Sequence, residues 1–97
     1  MEEIMQMIFG NAKFQLGQVV STPGALNTFN PLQLLGCLGR HSIGDWGDLC
    51  EEDKQTNEDA LKHGERLFSR YDIGDKTLYI ITERDRSVTT FLLSEEY

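Results

Sequence analysis

From Glu65 onward the apolar residues recur with a period of two, and nothing else in the chain narrows its possible folds as much. "RLFSRYDI" (66–73), "TLYIITE" (77–83) and "SVTTFLL" (87–93) are rich in the β-branched and aromatic residues that suit a pleated, half-buried surface. The links "GDK" and "RDR" are too short for a crossover helix, so the three strands pair as an antiparallel meander. Leu67, Tyr71 and Ile73 share one face of the first strand. In the second, Leu78 and Ile80 oppose Tyr79 and Ile81, so both faces call for cover. That makes it the central strand, with helices on one side and a partner or the N-terminal segment on the other.

The first half of the chain carries helix punctuation. "FQLGQVVST" (14–22) reads as one more strand, interrupted by Gly17, and "IMQMIF" could add an edge strand. Thr22 then caps a short helix with Pro23 at its first position, ending near Asn27–Phe29. Asn30, Pro31 and Gln33 repeat the device with the spacing of a capping box. Leu32, Leu34, Leu35, Cys37 and Leu38 leave that second helix little polar surface and predict burial on most sides. Gly36 and Gly39 mark close packing or an early end.

A third helix follows, with Asp48 as its cap, Glu51 three residues on, and Glu52 and Asp53 suiting the positive N-terminus. Lys62 and His63 close it, and Gly64 is the C′ residue. Its inward stripe is Leu49 or Cys50, Asp53, Asn57, Ala60 and Leu61, which predicts a buried, hydrogen-bonded Asn57 near the Trp loop or the last strand. The fold class is therefore α+β: a three-stranded antiparallel C-terminal meander, extended by an N-terminal strand, packed with two or three short helices. Residues 1–13 read as an N-terminal extension and 14–97 as a single domain, since 97 residues support one modest core.

Between the second and third helices lies "RHSIGDWGDL" (40–49), with the only Trp of the chain. Its glycines permit unusual backbone angles and its aspartates can satisfy local N–H groups. Trp46 either folds back on the core with its indole N–H bonded, or stands outside as an anchor for a partner. Nearby, "ITERDRSVTT" (81–90) gathers Glu83, Asp85, Arg86 and a polar line of Ser87 and Thr89. It is a charged turn, or a small anion-recognition site if that line faces inward. His41 is the one residue suited to general acid–base chemistry near neutral pH, and with Arg86 and Thr89 it would make a hydrolase or ribonuclease-like set. A helix-end histidine is also a common dipole partner. No nucleophile elbow or glycine-rich phosphate loop occurs. The acids of 45–53 have neither EF-hand nor zinc spacing, so neither a metal nor another cofactor is expected.

Charge is unevenly placed. Of a net −7, residues 45–59 carry −6: Asp45, Asp48, Glu51, Glu52, Asp53, Glu58 and Asp59 against Lys54. Such an edge disfavours a phosphate-binding surface and direct nucleic-acid contact, and suits a basic protein partner. Six net charges are few for imitation of a long duplex. The apolar runs fall well short of the roughly 20 residues that span a bilayer. "MEEIMQMIFG" lacks a basic secretory n-region, and Cys37 and Cys50 form no disulfide framework, which reads as a cytoplasmic protein with reduced thiols.

Together, "FQLGQVVSTPGAL", "RHSIGDWGDL", "EEDKQTNEDAL" and "ITERDRSVTTFLLSEEY" resemble a family of short bacterial proteins of uncharacterised function that recur on plasmids, prophages and other mobile elements. The similarity covers residues 14–97. Ser94 stands where the family carries a Pro in its "LLPxEY"-like tail, which loosens the terminal turn. The resemblance implies a mobile-element accessory role, counter-defence among its forms, and assigns no site residue. The sequence thus points to a non-enzymatic interaction module, an inhibitor or adaptor, with Asp45, Trp46, Asp48, Glu52, Asp59 and Arg86 as binding residues. The alternative is the small enzyme built on His41, Arg86 and Thr89. Homo-oligomerisation stays open.

Overall fold

The computed structural model describes residues 11–97, so the edge strand considered for "IMQMIF" lies outside the described residues. The chain runs β1 (Gln18–Ser21), α1 (Pro23–Thr28), α2 (Pro31–Ser42), α3 (Glu51–His63), β2 (Leu67–Ile73), β3 (Lys76–Thr82), β4 (Val88–Leu93) and a 3₁₀ turn (Ser94–Glu96). The α+β class holds, and the meander forms as its alternation requires. Tyr71 faces Leu78, and Ile80 faces Phe91.

The sheet order is β1-β4-β3-β2, with β1 parallel to β4. That parallel addition makes the sheet mixed, a pairing no local pattern in 14–22 specifies. Gly17, at φ +65°, turns the chain into β1, and a Cβ there would land on the Arg86 and Ser87 carbonyls. The strand is accordingly shorter than the 14–22 alternation suggested.

Both proline-led helix starts are real. Thr22 accepts the Ala25 N–H at 3.2 Å, and Asn30 and Gln33 complete a reciprocal capping box. α2 runs through Gly36 and Gly39 to Ser42, because Leu34, Cys37, Leu38, His41 and Ser42 form one stripe against the sheet. It is not buried on most sides, however. Leu32 is 79% exposed and Leu35 half-buried, since the sheet covers one face of a helix only. The third cap also differs. Cys50, not Asp48, holds the N-cap position of α3 and makes no side-chain bond there. On α3 the buried positions are Asn57 and Ala60, while Asp53 and Cys50 of the expected stripe are exposed.

Two apolar clusters result. The larger joins α1 and α2 to the sheet through Ala25, Phe29, Leu34, Leu38, Tyr71, Leu78, Ile80, Phe91 and Leu93. The smaller gathers Trp46, Ala60 and Leu67, with Phe14, Leu49 and Leu61 packed against it. Among the described residues, no helix is long and apolar enough to cross a membrane.

Asn57 ties α3 to the sheet. Its amide accepts the Phe68 N–H at 3.0 Å and donates to the Phe68 carbonyl, so one side chain replaces a missing neighbour strand. Asn57→Ala strands both main-chain groups, each costing about 1–3 kcal/mol when buried without a partner. Urea unfolding should show a loss of roughly 2 kcal/mol or more, whereas a surface site would give no change.

Candidate functional site

The Trp loop acts on the sheet edge. Arg40 grips Asp45 with Nε at 2.8 Å and Nη2 at 3.3 Å, and Asp45 also accepts the Gly47 N–H. This pairing with Arg40 holds the Asp45 carboxyl below its usual range. Tyr71 donates its hydroxyl to the Asp45 carbonyl at 2.6 Å while its ring lies under the Arg40 guanidinium. Past this clamp, Arg70 N–H donates to the Trp46 carbonyl at 3.2 Å, and Asp48 N–H to the Arg70 carbonyl at 2.7 Å. The Asp48 carboxylate then accepts the Asp72 N–H at 2.8 Å. Gly47 is obligatory here: at φ +80° it passes so close to β2 that a Cβ would collide with the Arg70 carbonyl and the Tyr71 ring.

Trp46 is a core residue. Only 3% of it is exposed, and its indole donates to Glu58 at 2.6 Å. Its ring stacks near Phe14 and meets His41 edge-on, with centroids 6.3 and 5.7 Å apart. It is therefore removed from the binding set, whereas Asp45 and Asp48 stay exposed at the surface with carboxylate oxygens bonded within the protein. The helix-capping role expected for Asp48 is replaced by its bond to β2.

His41 and Thr89 do come together, but as structure. The Thr89 hydroxyl donates to the Leu16 carbonyl at 2.6 Å, so Thr89 must accept from Thr82 at 2.7 Å. Thr82 in turn accepts His41 Nε2–H at 2.9 Å, which leaves Nδ1 to accept the Ser69 hydroxyl at 2.5 Å. One carbonyl thus sets the direction of a chain crossing α2 and three strands, and fixes His41 as the neutral Nε2–H tautomer. The imidazole is fully buried, and this burial, with Arg86 adding like charge, lowers its pKa to about 3. Both ring nitrogens are engaged and the ring stays neutral near pH 7, so the acid–base role proposed for His41 does not fit.

Arg86 is a clip. It takes φ 59°, a left-handed angle uncommon for a side-chain-bearing residue, and donates Nη1 to the Glu65 and Glu83 carbonyls at 2.7 and 3.1 Å. Its guanidinium lies 5.8 Å from the centroid of the Phe14 ring, so it is committed to holding the β3–β4 turn against the start of β2. Ser87 is exposed and bonds Asp85, outside the polar seam. Ser69 and Thr82, which complete the seam, were overlooked in the sequence. They occupy inward positions of their strands beside Leu67, Tyr71 and Ile80, and a hydroxyl there signals a buried partner. His41 falls on the 34-37-38-41 stripe of α2, the same signal once the helix is continued through Gly39.

The open surface lies along α3. Glu51, Glu52, Asp53 and Asp59 are exposed on it. Two adjoining clefts of about 330 and 400 Å³, sharing Thr56 and Arg66, follow its flank. Leu49, Asp53, Asn57, Phe68 and Tyr97 line the first, and Asp59, Ala60, His63 and Glu65 the second. Two residues of the first are aromatic: Phe68 and Tyr97 line it and pack with Tyr79 at centroid distances of 4.6–5.9 Å, and Arg66 donates to the Tyr97 hydroxyl at 2.7 Å.

Two outcomes test these roles. Trp46→Ala should lower stability by about 3–5 kcal/mol, as for other emptied aromatic sites, with Glu58→Gln far milder; an unchanged urea midpoint would put the indole outside. His41 binds its proton near pH 3 when folded and at 6.5 when unfolded. The unfolded chain therefore takes up more protons as pH falls below 6.5, and stability should drop by up to about 1.4 kcal/mol per unit towards pH 5. In His41→Leu this slope should vanish, together with some stability at pH 7.

Neither the family models, nor the curated proteins, nor the solved structures compared with this chain match it, so its function rests on the geometry of these surfaces.

Proposed function

We propose that the protein is a non-enzymatic interaction module, an inhibitor or adaptor of a mobile genetic element working in the cytoplasm, and that it binds a basic protein segment along α3. The observation that carries this reading is the coincidence of an aromatic cleft with an acidic bank. Phe68 and Tyr97 offer apolar anchorage, Asp53 lines the same cleft, Asp59 lines the adjoining one, and Glu52 is exposed on the same helix. Anchoring pockets ringed by charge are how small surfaces acquire affinity and selectivity together. Among the described residues the Glu52 and Asp53 carboxylates make no hydrogen bond or ion pair and Asp59 accepts only the Gln55 amide at 3.2 Å, unlike Asp45, Asp48 and Glu58, which are bonded to other elements. A segment with a large apolar residue flanked by Lys or Arg matches both features. Nucleic acid, repelled by the same acids, does not.

The site residues on this reading are Glu52, Asp53, Asp59, Phe68 and Tyr97, which retains two of the acids expected from sequence. The enzyme alternative has no comparable support, because His41, Arg86 and Thr89 are each engaged in holding the fold.

The test is capture from host lysate with the wild-type chain and two variants: Glu52→Gln/Asp53→Asn/Asp59→Asn, and Tyr97→Ala. A stoichiometric basic partner should be retained by the wild type, released by added salt, and lost with either variant. A partner held equally by all three baits would sink the α3 site.

A further inference from the structure

The two ends of the sheet are treated differently. At the β2 end every outward main-chain group of Phe68 and Arg70, and the Asp72 N–H, has a partner from Asn57 or the Trp loop. The β1 end is the reverse. Gln18 and Thr22 donate to the Ser87 and Phe91 carbonyls of β4 at 2.9 and 3.0 Å, so the alternate residues Val19 and Ser21 turn their N–H and C=O groups away from the sheet. Among the described residues no main-chain group bonds them. Beside this edge opens an apolar cleft of about 280 Å³, lined by Val19, Pro31, Leu34, Leu35, Leu38 and Phe91. Leu32 and Val20 stand exposed close by in the chain, at 79% and 37%. An unpaired strand edge next to unfilled apolar surface is a template for strand addition.

We infer that β1 is a dimerisation edge, taken by a second copy of this chain in antiparallel register about Val20. That register sets Val19 opposite Ser21 of the second copy and the reverse, so each pair exchanges both main-chain hydrogen bonds. Val20 meets its counterpart on one face of the joined sheet, and the two α2 helices meet through Leu32 and Leu35 on the other. A two-fold contact of this kind closes on itself and leaves no further edge. The choice of a second copy over a foreign segment rests on charge. The lining of the cleft holds no ionisable side chain, and Glu96, the acid at the end of β1, already accepts the Thr22 hydroxyl and the Leu93 N–H, so a chain of net charge −7 meets its own kind at lower cost here than along α3. The sheet order places acidic α3 beside β2, three strand spacings or roughly 14 Å from β1. Joining two sheets at β1 therefore keeps the acidic ends farthest apart and leaves the α3 surface of each copy free.

Sedimentation equilibrium over a range of concentrations, with amide exchange of Val19 and Ser21, tests this. The wild type should reach twice its 11.1 kDa mass, with both amides protected in step with dimer formation. Val20→Lys and Leu35→Glu should each yield a monomer with fast exchange at those two amides. Val20→Lys alters a surface residue only, so it decides the matter even if Leu35→Glu fails to fold. A wild type monomeric at every concentration overturns the proposal, as does a dimer that survives Val20→Lys. Slow exchange of Val19 and Ser21 in a monomer would mean that the chain covers its own edge, and overturns it equally.

Discussion

The outward edge of β2 is the constraint around which the chain is organised. A strand at the end of a sheet presents donors and acceptors that must meet water, a partner or the protein itself. Here the protein supplies them. Asn57 closes the groups of Phe68, the backbone of Trp46 and Asp48 closes those of Arg70, and the Asp48 carboxylate takes the Asp72 N–H. The same short loop lowers Trp46 into the gap between α3 and the sheet, so closing the edge and filling the smaller core are one event. Arg40 and Tyr71 then hold the loop from the α2 side.

A second constraint follows from the two clusters. The space between them is occupied by hydroxyls and one imidazole rather than by carbon. A buried polar chain is tolerable only when each member is satisfied, and the described residues leave no buried side-chain N or O atom without a partner. The chain links α2 to β2, β3 and β4 through groups with directional bonds, whereas apolar packing alone would accept sliding of the helix. Protonation of His41 would demand an acceptor where the seam provides a donor, which ties its neutrality to the register of the whole sheet.

With both constraints met, the surfaces left over have distinct characters. Along α3, Asp53 lines a cleft with Phe68 and Tyr97, and Asp59 lines the one adjoining it. At β1 an apolar cleft adjoins main-chain groups facing outward. The separation arises from sheet order, because the acidic helix packs by β2 and the leucine-rich helix lines the cleft beside β1. Asp45, Asp48 and Glu58 of the acidic run are bonded within the protein, so the acids without such a bond are fewer than the composition of residues 45–59 suggests.

Much of this was legible in residues 14–97. The three C-terminal strands, both proline-led caps, the Gly64 terminus of α3 and the burial of Asn57 follow from periodicity and capping rules, which depend on neighbours within a few residues. The parallel seat of β1, the employment of Asp48 on β2 rather than at a helix cap, and the conversion of His41, Arg86 and Thr89 from reactive candidates into structural ties did not follow. Each is a contact between positions far apart in the chain, settled by which carbonyl or amide the assembled fold brings within reach. Local propensity determined the elements and their ends. Only the assembled sheet, through the need to satisfy its edge and its buried hydroxyls, decided what the polar residues between them are for.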